Sequence, residues 1–117
     1  MSPELRRQHL PDTRKAINHK FHLSGADCYI RVGLFEDGTP GEIFITMGHE
    51  GSTMRGLLDT IGILFSISLQ YGVPLEKLVD KLKGQKFEPN CPLKADSLVD
   101  YIAKWMEENF LAVPVEA

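Results

Sequence analysis

The residues best placed to do chemistry in this sequence form a short glycine-containing segment, residues 46–53, with the sequence TMGHEGST. A strand ending here would pass through two glycines into the start of a helix, where unpaired N–H groups and the helix dipole attract anions such as phosphate. Lys20 and Arg31 occupy strand positions that could share a sheet face, so they are the candidate counter-charges, with His19 as an auxiliary donor. The candidate ligand-binding residues are Lys20, Arg31, Gly48, His49, Gly51, Ser52 and Thr53.

The same segment has a simpler interpretation, in which Ser52 only caps the helix that follows. The GxxxxGK(S/T) pattern of a P-loop is absent, so the spacing alone does not indicate a nucleotide. An ordinary capped turn and an anion site therefore both stay open.

The other reactive side chains match no recognised metal-binding or catalytic motif. His49 stands beside Glu50, but no HExxH motif or paired-cysteine spacing accompanies it, so we expect no metal site and no cofactor bound by this chain. Cys28 falls in the core-facing register of a strand and Cys91 on a polar connection, so we expect them not to pair. No GxSxG elbow is present, and we expect no catalytic residue.

Length and composition are those of one globular domain, with 117 residues, 43% hydrophobic and 25% charged. The net charge of −3 argues against a general nucleic-acid binder. No apolar run approaches the roughly 20 residues that span a bilayer, and the N-terminus lacks a signal-peptide-like apolar stretch. We therefore expect a cytoplasmic protein with no membrane partner.

The elements that would position these residues begin with strands. Cys28, Ile30 and Val32 alternate with Tyr29 and Arg31, which predicts a strand with one buried face. Residues 36–41 are rich in turn formers, and residues 42–47 alternate again. Residues 21–23 suggest a shorter first strand. The short connections favour a three-stranded antiparallel meander.

Helical periodicity follows the strands. The periodicity predicts a helix over residues 53–71 with two apolar stripes, one through Leu58 and Phe65 and a second through Leu64 and Tyr71. Such a helix is buried on several sides, either within the fold or in an oligomer interface. Helices ending at Gly84 and starting near Asp96 complete an α+β domain, with the helices on one face of the sheet.

The domain organisation has three parts. Residues 1–18 form a basic N-terminal arm, which is either a solvated tail or a segment that docks onto an acidic surface or phosphates. Residues 19–112 form the single α+β domain, and residues 113–117 a tail.

Several long segments are similar to one known family. They are RxxLPDTRKAINHKF, VGLFEDGTPGEIFITM, EGST, SLQYGVPLEKLVDK, KFEP and SLVDYIAKWM, in order across residues 7–110. This pattern strongly resembles the small TSCPD-type domain that follows the catalytic barrel of adenosylcobalamin-dependent class II ribonucleotide reductases. The connection between KFEP and SLVDYI looks shorter here than in the family.

The resemblance implies a link to deoxyribonucleotide synthesis without catalysis by this chain. The family's barrel, radical cysteine and cobalamin site do not fit into 117 residues. The cysteine cluster that follows this domain in the family is also missing, since no cysteine follows Cys91. Adenosylcobalamin is thus implied only for a reductase partner. The first hypothesis is an accessory or split-off reductase domain that contacts a catalytic subunit. The alternatives are a stand-alone homo-oligomeric binder of a nucleotide-like molecule, or a structural oligomerisation module. We expect self-association as a homodimer or higher oligomer.

Overall fold

The chain folds into three strands followed by three helices, in a computed structural model that describes residues 5–23, 25–48, 51–85 and 97–111. The elements are β1 (Ala16–Leu23), β2 (Ala26–Leu34), β3 (Pro40–Met47), α1 (Ser52–Gln70), α2 (Leu75–Leu82) and α3 (Leu98–Met106), with a π-helical turn at Glu107–Leu111. The antiparallel order β1-β2-β3 followed by helices confirms the predicted α+β class. Two compact units divide the chain, a first unit Met1–Val73 and a second unit Pro74–Ala117.

The turns of the sheet depend on residues that accept unusual backbone angles. Gly25 and Gly38 have φ values of 80° and 86°, in the left-handed region that favours glycine. Asp37 fixes the second turn, because its Oδ1 accepts hydrogen bonds from the Thr39 Oγ1 at 2.6 Å and the Thr39 N–H at 2.9 Å. These bonds hold the pKa of Asp37 below its ordinary value. The turn chemistry therefore supports the antiparallel pairing that the sequence predicts.

Strand β1 is longer than the sequence pattern indicates. It begins at Ala16, which pairs with Gly33, so the strand takes in residues 16–18 that were predicted to belong to the arm. The buried residues of β1, Phe21 and Leu23, both lie in its second half. The first half therefore shows no clear alternation of apolar and polar residues. Pairing with β2 extends a strand that its own residues only weakly specify.

The sheet has one buried face and one exposed face. The buried face carries Phe21, Leu23, Cys28, Ile30, Val32, Ile43, Ile45 and Met47. The alternation predicted for β2 and β3 is confirmed, since Cys28, Ile30 and Val32 are all fully buried while Tyr29 and Arg31 are exposed.

Helix α1 runs beside β3, whose outer edge would otherwise present unpaired backbone groups. The Ser66 Oγ accepts a hydrogen bond from the Ile43 N–H at 2.9 Å and donates to the Ile43 carbonyl at 3.3 Å. The Gln70 side chain donates to the Gly41 carbonyl at 2.9 Å. Gly62 permits this approach, because a Cβ there would lie 3.0 Å from the Ile43 carbonyl oxygen. The helix therefore covers the strand edge through specific polar contacts.

Replacing Ser66 with alanine is expected to destabilise the protein by about 1–3 kcal/mol, because the partly buried N–H and carbonyl of Ile43 lose their hydrogen-bond partner. Ser68→Ala is the matched control, since the Ser68 Oγ only donates to the Leu64 carbonyl of its own helix, and its expected effect is within about 0.5 kcal/mol. Urea unfolding and hydrogen exchange at the Ile43 amide provide the measurements. Equal effects of the two substitutions would refute the role of Ser66.

Part of the basic arm contacts the rest of the first unit, to which it belongs. The Arg7 Nε donates to the Gln70 side chain at 2.6 Å, and the Gln8 N–H donates to the Gln70 carbonyl at 2.8 Å. The Arg14 guanidinium lies 3.0 Å from Glu42. The arm thus has intramolecular partners over its described part.

Helices α2 and α3 and the π-helical turn belong to the second unit. The sequence places the two ends of α2 correctly, with Pro74 before its first turn and Gly84 after its last, at φ 88°. Helix α3 begins two residues later than predicted from Asp96, because the Ser97 Oγ caps it by accepting the Asp100 N–H at 3.1 Å. Asp100 is fully buried and accepts the Gly84 N–H at 2.6 Å, so it links the two helices.

Candidate functional site

The exposed face of the sheet, called the outer face below, brings together polar and aromatic side chains from all three strands. The strand register places Lys20, Tyr29 and Thr46 in one row and Asn18, Arg31 and Phe44 in the next. His22 and Asp27 form a further row, at the end of β1 and the start of β2. Because successive side chains point to opposite faces of a strand, these residues lie on the face opposite the buried one.

Two aromatic rings on the outer face each lie under a cation. The Lys20 Nζ is 5.9 Å from the centre of the Tyr29 ring, and the Arg31 Cζ is 6.0 Å from the centre of the Phe44 ring. Both rings remain open to solvent, with 45% of Tyr29 and 50% of Phe44 exposed. Each exposed cation–π contact contributes about 0.5–1 kcal/mol, which positions the cations above surfaces on which a planar ligand could stack.

The two cations of the outer face, Lys20 and Arg31, differ in whether an acidic side chain lies beside them. Asp27 lies 3.3 Å from the His22 Nδ1 and 3.6 Å from the Lys20 Nζ. The hydrogen bond with His22, and then the Lys20 charge, hold the pKa of Asp27 below its ordinary value, so Asp27 stays ionised near neutral pH. Within the described residues Arg31 makes no ion pair, which leaves it as the cation most available to an anionic ligand.

A groove of about 410 Å³ adjoins the outer face, between β3 and α1. Phe44 forms part of one wall, and Ile63 and Ile67 form part of the other. The charged residues of the lining are Arg7, Glu42 and Asp59. Phe44 belongs to both the groove and the outer face, so the two are continuous. This volume falls within the range of small-molecule sites, about 300–1,000 Å³.

The structure brings together only some of the predicted ligand-binding residues. Lys20 and Arg31 share the outer face as expected from their positions in the strands. The Gly48 N–H, expected to be free, donates to the Asp27 carbonyl at 2.9 Å, because it continues the pairing beyond β3. Gly51 precedes the first residue of α1 and offers no capping side chain, and Thr53 is exposed in the first turn. His49, the Ser52 side chain and Cys91 lie outside the described residues.

Sequence reasoning missed the two aromatic residues of this face. Tyr29 and Phe44 fall on the polar register of their strands, and an aromatic residue at such a position was the available signal. Among the described stretches of the chain, no group of three or more His, Cys, Asp or Glu side chains could hold a metal ion. No described helix combines the length and apolarity required to cross a bilayer.

Comparison with known proteins gives a consistent result over most of the chain. A family model described as the TSCPD domain matches residues 3–110. A vitamin B12-dependent ribonucleotide reductase of Rhodopirellula baltica is 49% identical over 113 residues, covering 92% of this chain and 11% of the relative. Reductases of the same name from Bradyrhizobium diazoefficiens and Streptantibioticus cattleyicolor are 35% and 39% identical, over 9% and 18% of their lengths. The chain thus spans less than a fifth of these relatives, and no solved structure matches it.

Proposed function

The chain belongs to the TSCPD domain family, and from this premise we propose that it is a non-catalytic accessory or split-off domain of a vitamin B12-dependent ribonucleotide reductase. The observation that carries the proposal is 49% identity across 92% of the chain to one region of such a reductase. The domain would act in the cytoplasm by contacting a catalytic polypeptide and supporting deoxyribonucleotide synthesis there.

A non-catalytic role agrees with the chemistry of the described residues. Radical reduction of a ribonucleotide requires accessible thiols, whereas Cys28 is fully buried and its Sγ faces the Ala26 carbonyl at 3.8 Å. A thiol enclosed in this way is inert. The proposal therefore assigns the thiol chemistry to the partner.

The proposal does not assign adenosylcobalamin to this chain. A corrin cofactor is several times larger than the ligands that suit a groove of about 410 Å³. The proposal therefore assigns the cofactor, and with it the steps of the reduction, to the catalytic polypeptide.

The test of this proposal is reconstitution in trans. A reductase polypeptide that lacks the region matching this chain is assayed for deoxyribonucleotide formation with and without the chain. We expect the added chain to increase product formation by this polypeptide and to leave an intact reductase unaffected.

A second candidate function, binding of a nucleotide-like molecule, is favoured by one observation. Arg31, without an acidic partner in the described residues, lies over the half-exposed Phe44 ring beside the groove. A nucleobase could stack against Phe44 while the Arg31 guanidinium binds phosphate oxygens, a group it matches in geometry. The outer face, rather than the start of α1, is then the site.

Arg31→Ala is expected to weaken binding of a nucleoside triphosphate by about 10- to 100-fold, since a hydrogen bond to a charged group contributes roughly 1.5–3 kcal/mol. Arg55→Ala is the control, because Arg55 is an exposed cation near the start of α1. Titration calorimetry across ribonucleotides and deoxyribonucleotides measures the affinities. Loss of binding with Arg55→Ala but not with Arg31→Ala would place the site at the helix start and contradict the outer-face assignment.

A further inference from the structure

The groove between β3 and α1 lies within the first unit and has a charged side chain towards each end. Arg7 lies at one end, beside Gln70, and Asp59 lies towards the other. Asp59 and Gln70 are separated by three turns of α1, or about 16 Å along its axis, and therefore lie on the same side of the helix. The walls between the two ends are apolar, with Phe44, Ile63 and Ile67. A ligand that suits this groove has an anionic end, a flat apolar centre and an end that donates hydrogen bonds.

The cation at the first end is held in place by a buried side chain. The Arg7 Nε donates to the Gln70 Oε1 at 2.6 Å, and Gln70 is only 6% exposed and donates in turn to the Gly41 carbonyl at 2.9 Å. Within the described residues the two terminal nitrogens of Arg7 make no further bond. The charge of Glu42, which also lines the groove, is offset by Arg14 at 3.0 Å. This end therefore offers a fixed guanidinium whose free donors match phosphate oxygens.

The carboxylate at the other end selects among planar ligands by its hydrogen bonding. In the part of the chain that the structure describes, Asp59 makes no hydrogen bond or ion pair, and it lies one turn before Ile63 on the same side of α1. An ionised carboxylate has two acceptor oxygens and no donor. Guanine presents two adjacent donors on its Watson–Crick edge, the ring N–H and the exocyclic amino group, and these match both oxygens. Adenine, cytosine and uracil each place an acceptor beside a donor on that edge, so one carboxylate oxygen would face another acceptor.

We propose that the groove binds a guanine nucleotide, with the base stacked on Phe44, its Watson–Crick edge on Asp59 and its phosphates extending towards Arg7. This inference rests on the second candidate function above and adds to it the identity of the base and a second phosphate-binding residue. Arg31 pairs with Phe44 in the strand register, so it contacts the phosphate nearest the ribose, and Arg7 contacts the more distant phosphates. The separation of the two ends suits a nucleoside triphosphate better than a monophosphate.

Titration calorimetry with different nucleoside triphosphates tests the choice of base. The unmodified chain is expected to bind guanosine triphosphate at least about 10-fold more tightly than adenosine triphosphate. Asp59→Asn replaces one acceptor with a donor, which matches xanthine, whose C2 oxygen accepts where the guanine amino group donates. This variant is expected to lose about 10- to 100-fold in affinity for guanosine triphosphate and to prefer xanthosine triphosphate. Asp80→Asn, at an exposed aspartate of α2, is the matched control and should keep the guanine preference.

Comparing guanosine triphosphate with guanosine monophosphate tests the role of Arg7. Arg7→Ala is expected to weaken binding of the triphosphate about 10-fold, because a charge-assisted contact to the distant phosphates is lost. Binding of the monophosphate and the preference for guanine should not change. Arg6→Ala is the control, because Arg6 is an exposed neighbouring arginine that does not line the groove.

The possible failures are distinguishable. Asp59 is exposed, so Asp59→Asn keeps the fold, which circular dichroism checks. Equal affinities for guanosine and adenosine triphosphates, or an Asp59→Asn protein that does not gain xanthosine triphosphate, would overturn this inference and leave nucleotide binding at the outer face standing. A dissociation constant above about 1 mM for every nucleotide would overturn both.

Discussion

Replacing Asp100 with alanine is expected to destabilise the second unit by about 3 kcal/mol, because the substitution removes a buried, hydrogen-bonded carboxylate. Asp100 is fully buried, and its carboxylate accepts the Gly84 N–H at 2.6 Å and lies 3.0 Å from the Lys104 Nζ. Alanine leaves the Gly84 N–H, at the end of α2, without this acceptor and creates a cavity beneath α3. The link between the two helices is lost with it.

Trp105 makes this effect directly measurable. It is the single tryptophan of the sequence, is 8% exposed and belongs to α3, so its fluorescence in urea reports unfolding of the second unit. Asp80→Ala is the matched control, because Asp80 is an exposed aspartate on α2 and its loss should change the free energy of unfolding by less than about 0.5 kcal/mol. Asp100→Asn retains an acceptor for Gly84 and should fall between the two. An Asp100→Ala protein as stable as the Asp80→Ala protein would show that the buried carboxylate does not hold the helices together.

The strands and helix ends could be predicted because local physical rules specify them. Strands β2 and β3 alternate over residues 26–32 and 42–47, since one face is buried at Ile30, Ile43 and Ile45 and the other is not. Helices α1 and α2 stop where Gly72 and Gly84 adopt φ of 91° and 88°, which few other residues accept. Patterns of this kind are readable from one segment at a time.

Features that depend on tertiary surroundings were not predictable in the same way. Helix α1 shows two apolar stripes in the sequence, and only the fold reveals that Leu58 and Phe65 are covered while Leu64 is not. Asp100 looks like a solvent-facing residue, although the Ser97-x-x-Asp100 capping pattern was a usable sign of its place in the first turn of α3.

The candidate site was predictable in part for the same reasons. Alternation placed Lys20 and Arg31 on one face, but it could not show that Tyr29 and Phe44 would stay exposed beneath them. The free Gly48 N–H was expected from the glycine-rich turn. That group bonds to Asp27 instead, because the pairing of β2 and β3 continues one residue further. The solvent exposure of a side chain and the hydrogen-bond partner of a backbone group depend on contacts with other segments, which the local sequence does not specify.

Adding this chain to a reductase that lacks the matching region is expected to raise its turnover at least about 10-fold. In the full-length relatives the region is covalently attached, so its contacts form at an effective concentration in the millimolar range for a short flexible linker. A separate chain must reach the same contacts by ordinary binding. Turnover should therefore increase hyperbolically with the concentration of added chain, whereas a polypeptide that keeps its own copy should gain nothing.

The most direct measurement uses the Rhodopirellula baltica relative, truncated to remove the region that is 49% identical to this chain. Deoxyribonucleotide formation is followed with adenosylcobalamin present and the chain titrated from about 1 to 100 µM, with co-sedimentation recorded in parallel. The account predicts saturable activation of the truncated enzyme, association over the same concentration range, and no response from the intact enzyme. Absence of both activation and co-sedimentation at 100 µM would contradict the proposal that this chain is an accessory domain of such a reductase.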